Sequence, residues 1–162
     1  MKKVNAILIM SLIFTTTIFG QKTFTLTSKD LGGELTKVQE FKGFGCTGEN
    51  QSPQLLWKNA PAGTKSFAVT MYDPDAPTGS GFWHWIVFDI PSDVNELITN
   101  AGAKDKFPIK GAVQSITDYG IKRFGGPCPP EGHGFHQYII TVYALKTDKL
   151  GLDENTNPAI VG

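Results

Sequence analysis

Along Lys65–Tyr72 (KSFAVTMY) apolar and polar positions alternate. Phe67, Val69 and Met71 fall on one face, Thr70 and Tyr72 on the other, which is the period of a β-strand. Trp83–Ile90 (WHWIVFDI) is apolar almost throughout and predicts a strand covered on both faces. Gln137–Leu145 (QYIITVYAL) is rich in β-branched and aromatic residues, a further strand signal. Thr23–Thr27 predicts a short edge strand, and Ser92–Ile98 a short helical turn capped by Ser92. Turn clusters (APAG, DPDAPTGSG, GGPCPP) separate these runs, and helical periodicity is otherwise hard to find. The pattern predicts an all-β, sandwich-like domain with long loops. The unusual residues sit in those loops, where sites are usually built.

Composition narrows the picture. The 162 residues suit one domain with a real core, and eighteen glycines and ten prolines favour turns over long helices. The formal net charge of zero, with no charge block or repeat, excludes a basic nucleic-acid binder. The first residues follow a secretory pattern: Lys2 and Lys3, an apolar run from Ala6 to Phe14, then Thr15 to Gly20. Residues 1–20 are therefore read as a signal peptide and residues 21–162 as the domain. The apolar run is short against the roughly 20 residues of a membrane span, so no span is expected once the leader is cleaved. Loss of Lys2 and Lys3 changes the net charge from zero to about −2. The expected location is periplasmic or extracellular. There Cys46 and Cys128 can form a disulfide closing a loop of about 80 residues. The alternative for Cys128 is a nucleophile served by His136.

Three segments carry candidate chemistry. Asp73–Pro77 (DPDAP) ends the first strand, and its prolines fix the directions of two carboxylates. One aspartate suits a turn cap and the other a pocket. Trp83–Trp85 (WHW) holds His84, which on a regular strand faces away from both tryptophans. Gly125–Tyr138 (GGPCPPEGHGFHQY) combines the stiff Pro129–Pro130 pair with the pliant Gly132 and Gly134. His136 and Tyr138 lie two apart and share a face. An imidazole and a phenol so placed can donate to one anion. No helix-borne ligand spacing supports a metal, although His133 and His136 stand near acids. No nucleotide fingerprint, phosphate-binding loop or serine elbow is present. No cofactor is expected.

Taken together, GENQSPQLLW (Gly48–Trp57), DPDAPTGSGFWHW (Asp73–Trp85) and GGPCPPEGHGFHQY resemble the phosphatidylethanolamine-binding protein family, in its bacterial Raf-kinase-inhibitor-like branch. The resemblance runs from about Phe24 to the C-terminus. It implies a central antiparallel β-sandwich with short peripheral helices and a pocket for phosphate or phosphoethanolamine-like groups. Carried over by motif, the ligand-binding residues are Asp73, His84, Pro129, Pro130, His136 and Tyr138. Asp75 and Trp83 are structural, and the Asp73–Pro74 bond is a candidate cis peptide. The GCTG and GPCPP contexts of Cys46 and Cys128 resemble those of exported members and imply the bridge. Gln137 replaces the family's usual arginine and is expected to change the neighbouring surface, not the pocket. Relatives continue for about another strand and a terminal helix, so a truncated C-terminus is expected after Gly162.

Three functions compete. One is a non-enzymatic binder of a small anionic ligand or phospholipid head group. Another is an inhibitor of a protein partner, a protease or kinase, through the pocket rim. The third is a hydrolase of a phosphorylated or acyl substrate, for which no nucleophile or second acid completes the Asp–His pair.

Overall fold

The computed structural model describes residues 22–103 and 107–162. The proposed leader lies outside the described residues. Two antiparallel sheets face each other. The larger has the order β8-β6-β5-β9, formed by Val113–Gln114, Phe82–Pro91, Ser66–Asp73 and Ile139–Leu145. The smaller has the order β1-β4-β7, formed by Thr25–Thr27, Leu55–Lys58 and Glu96–Leu97. A hairpin of β2 (Lys42–Gly43) and β3 (Cys46–Thr47) stands apart. The four-residue helix α1 (Pro158–Val161) packs on β6. The architecture is the expected β-sandwich.

The core forms because the alternation of β5 meets apolar strands on both sides. Phe67, Val69 and Met71 join Trp85, Val87 and Ile90 of β6 and Leu55, Trp57 and Leu97 of the smaller sheet. The rings of Trp57 and Phe67 meet across the interface at 5.3 Å. The opposite face of β6 offers Ile86 and Phe88 to a second cluster with Trp83 and Val161. β6 is thus buried on both faces, as its continuous apolar run predicts.

Three local expectations fail. Ser92–Ile98 is not a helical turn: it turns at Ser92–Asp93 and pairs as β7, with Leu55 opposite Leu97. Leu97 is 1% exposed in the core, and this burial outweighs the local capping signal. The Asp73–Pro74 peptide is trans. Lastly, β6 is irregular at His84. Trp85 opposes Met71 while Trp83 opposes the next residue, Tyr72, so His84 is the extra residue of a β-bulge. Trp83 and Trp85 consequently lie in different apolar clusters, and His84 does not face away from both.

Cys46 and Cys128 form a disulfide across 82 residues, so neither is a free thiol. The bridge ties the β2–β3 hairpin to the segment before Pro129. The hairpin turns through Phe44 (φ 53°) and Gly45 (φ 92°), the positive-φ pair of a two-residue hairpin loop. Loop closure of this length constrains the unfolded chain. Replacing both cysteines by serine is expected to lower unfolding free energy by about 2–4 kcal/mol. Urea unfolding of parent and variant, with and without reductant, checks this: reductant should lower only the parent.

Candidate ligand-binding site

The site grows from one end of the larger sheet. Phe67, Val69, Met71 and Asp73 alternate onto one face of β5; the first three fill the core, and Asp73 reaches the end of the strand. Phe82 pairs opposite Asp73. The bulge turns His84 toward Asp73, with Nε2 3.9 Å from Oδ2. On the other side Tyr72 pairs with Ile139, which brings the preceding Tyr138 beside Asp73 in the core cluster.

Asp73 is 3% exposed, and a buried carboxylate requires partners. Its Oδ2 accepts a hydrogen bond from His136 Nδ1 at 2.8 Å. Its Oδ1 accepts from the Asp75 amide at 2.8 Å. Asp75 in turn accepts from the Gln137 amide at 2.7 Å, which fixes the chain between His136 and Tyr138. Burial pushes the Asp73 carboxyl up, but the imidazoles of His84 and His136 and the Asp75 amide outweigh it and hold the group below its ordinary value.

The imidazole tautomers follow from their partners. His84 Nδ1 lies 2.8 Å from Gly125 O. A carbonyl only accepts, so Nδ1 carries the proton. His136 Nδ1 faces a carboxylate, with the same result. In each neutral ring Nε2 therefore has a lone pair, and it becomes a donor only when the ring is protonated.

Gly125 also donates its amide to His84 O at 2.9 Å, so backbone and side chain of His84 grip the same residue. A Cβ at Gly125 would lie 2.3 Å from the Tyr119 ring, and one at Gly126 would lie 1.7 Å from Gln39 O. The two glycines permit this close approach. Tyr119 donates from its hydroxyl to Gly126 O at 2.8 Å, and its ring meets those of Phe82 and His84.

A cavity of about 200 Å³ opens here, lined by Asp73, His84, His136, Tyr138, Tyr119 and Phe82 among others. That is space for on the order of six waters at roughly 30 Å³ each, the scale of a small ion or head group. Pro129, Pro130, Cys128 and Phe44 also border it. Two features mark its chemistry. The Tyr138 hydroxyl is buried and has no hydrogen-bond partner. Burial first, and then the charge of Asp73, push the Tyr119 and Tyr138 phenols up, so both remain protonated donors at neutral pH. A broader depression of about 950 Å³ shares Pro129, His136 and Tyr138 with the cavity. Its walls include Leu31, Leu35, Phe135 and Ile139. The two imidazoles and the buried phenol converge in the smaller space, which concentrates the polar groups.

All six sequence-derived ligand residues border this cavity. Asp75 braces the loop, and Trp83 lies outside, its ring 4.5 Å from that of Tyr72. His133 is exposed. The sequence reading missed Phe82, at the start of β6, and Tyr119 and Phe44, which arrive from distant turns without a periodic signal. Among the described residues, no group of three or more His, Cys, Asp or Glu side chains is placed to hold a metal ion.

This sandwich with a polar pocket at the sheet end defines a class of small-ligand-binding proteins. The family model described as phosphatidylethanolamine-binding protein matches residues 20–162, and the chain belongs to that family. It is 52% identical to the protein YbcL of Escherichia coli over 143 residues, covering 86% of this chain and 78% of YbcL. It is 45% identical to YbhB of the same organism over 139 residues, covering 85% and 87% of the two chains. The crystal structure of YbcL, described as a new member of the mammalian family, superposes with a TM-score of 0.82, covering 85% of this chain and 86% of that one.

The depressed Asp73 carboxyl fixes the sign of an acid dependence. Its contribution to stability is full above the unfolded value of about 3.9 and is lost as pH falls through the lower folded value. Asp73→Asn is therefore expected to flatten the acid limb of the stability curve. Urea unfolding of both proteins between pH 6 and 2 measures the difference.

Proposed function

We propose that the protein is a non-enzymatic binder of small phosphate-bearing anions, such as phosphate or phosphoethanolamine, and that it works outside the cytoplasm. The observation that carries this reading is the buried, unpartnered Tyr138 hydroxyl at a cavity bordered by two imidazoles. An unsatisfied buried donor costs about 1–3 kcal/mol, and a ligand oxygen would recover it. His84 and His136 supply two further donors when protonated. Asp73 orients His136 and balances its charge. With both rings neutral, Asp73 leaves the cavity negative and unwelcoming to an anion. Each proton gained on an imidazole removes that penalty and creates a donor. Phosphate binding is thus coupled to proton uptake. The leader-like N-terminus and the disulfide support export.

A second reading has its own observation. Phe44 is 79% and Phe135 94% exposed; the first borders the cavity and the second the adjoining depression. Large exposed aromatics suit a partner protein held at the rim, a protease or another envelope protein that the chain would inhibit. Competition between such a partner and phosphoethanolamine would distinguish rim binding from head-group binding.

Phosphoethanolamine binding is expected to take up protons, because each imidazole donates from Nε2 only in its protonated form. Calorimetry in buffers of different ionisation enthalpy should show that uptake. Heats that do not depend on the buffer overturn the imidazole-donor reading. Tyr138→Phe is expected to weaken binding about tenfold and to leave the proton uptake intact, whereas His136→Ala should reduce it.

A further inference from the structure

Asn50 lies in the GENQSP segment, outside the cavity lining, yet its side chain reaches the extended Phe124–Gly126 segment that grips His84. Its Nδ2 donates to Phe124 O at 3.1 Å, and its Oδ1 accepts from the Gly126 amide at 2.8 Å. Only one orientation of the amide satisfies both, because Phe124 O cannot donate and Gly126 N–H cannot accept. The two contacts fall on residues two apart, on the edge of the extended segment opposite to that used by Gly125. Gly125 turns its own N–H and C=O to His84, as alternate residues of a strand face opposite edges. The Asn50 amide thus acts as one peptide unit of a missing neighbouring strand. Its backbone is committed too: φ is 54°, and its N–H donates to Glu40 O at 2.8 Å.

We infer that Asn50 is a positioning residue for the ligand site, setting the tautomer and direction of His84 through the Phe124–Gly126 segment. The chain of cause is short. Asn50 clamps one edge of the segment, and Tyr119 holds Gly126 O. The Gly125 carbonyl is then fixed where it must accept from His84 Nδ1. That bond keeps Nε2 the atom that changes from acceptor to donor on protonation. Released from the clamp, Gly125 O withdraws, and His84 samples the tautomer with its proton on Nε2. The inference rests on the binding reading above only for its effect on affinity; its effect on the tautomer stands alone.

Asn50→Gly is the sharpest variant, because glycine accepts positive φ without strain and only the two side-chain bonds are lost. Asn50→Asp keeps the shape but sets a carboxylate oxygen against Phe124 O. Imidazole nitrogen NMR on the ligand-free chain at pH 8 should show His84 with its proton on Nδ1 in the parent and mixed tautomers in both variants. Gln51→Ala, at the neighbouring position, should match the parent. Phosphoethanolamine affinity is expected to fall about tenfold in Asn50→Gly. An unchanged tautomer in a folded Asn50→Gly variant overturns the inference. If neither variant folds, the parent decides. Slow exchange of the Asn50 side-chain amide and the Gly126 amide protons supports the clamp, and solvent-fast exchange of both rejects it. A parent that binds no phosphoethanolamine refutes the binding reading and leaves the tautomer result to judge Asn50.

Discussion

The buried carboxylate of Asp73 is the interaction around which this end of the molecule is arranged. A carboxylate so enclosed cannot remain charged without partners. It recruits hydrogen bonds from two parts of the chain, the Asp75 amide from the following turn and His136 from the glycine-proline loop, while His84 from the bulge in β6 stands 3.9 Å away and turns into a donor toward it only when protonated. The loop is in turn braced by Asp75 at Gln137. Remove the carboxylate, and the turn and the loop lose their common point. The core beneath does not supply this order. Phe67, Val69 and Met71 drive the sheets together, but apolar contact is non-directional and would not aim an imidazole.

The bulge at His84 shows how a local defect serves that arrangement. An unbroken ladder would place Trp83 and Trp85 on one face and His84 on the other. With one residue added, Trp85 enters the core between the sheets, Trp83 packs toward α1, and His84 turns to Asp73. The apolar faces stay filled on both sides while a polar side chain reaches the cavity. Bulges beside binding sites re-aim side chains in this way.

What could be read from the sequence followed the range of the cause. The long strands were legible because their periodicity is local and strong, and the six cavity residues were legible because stiff, polar motifs surround them. Ser92–Ile98 misled: Ser92 suggested a cap, whereas Leu97 was claimed by a pairing with Leu55 from far along the chain. His84 misled because a bulge is a property of two strands. Tyr119 and Asn50 left no legible signal of their roles. Each acts on the segment ending at Gly126, and nothing in TDYG or GENQ announces a partner that folding alone supplies.

The Cys46–Cys128 bridge also makes the chain a closed ring with two tails. The ring carries Asp73, His84 and Tyr119, while His136 and Tyr138 lie on the tail beyond it. One backbone cut within the ring therefore opens a loop without dividing the molecule. The pieces stay tethered at high effective concentration, and both halves of the cavity remain on one covalent body. A cut between Cys128 and His136 has no such protection. A cut in an in-ring turn that makes no contact with the site therefore leaves the cavity assembled, whereas the short glycine-proline stretch is a part whose integrity the cavity cannot do without.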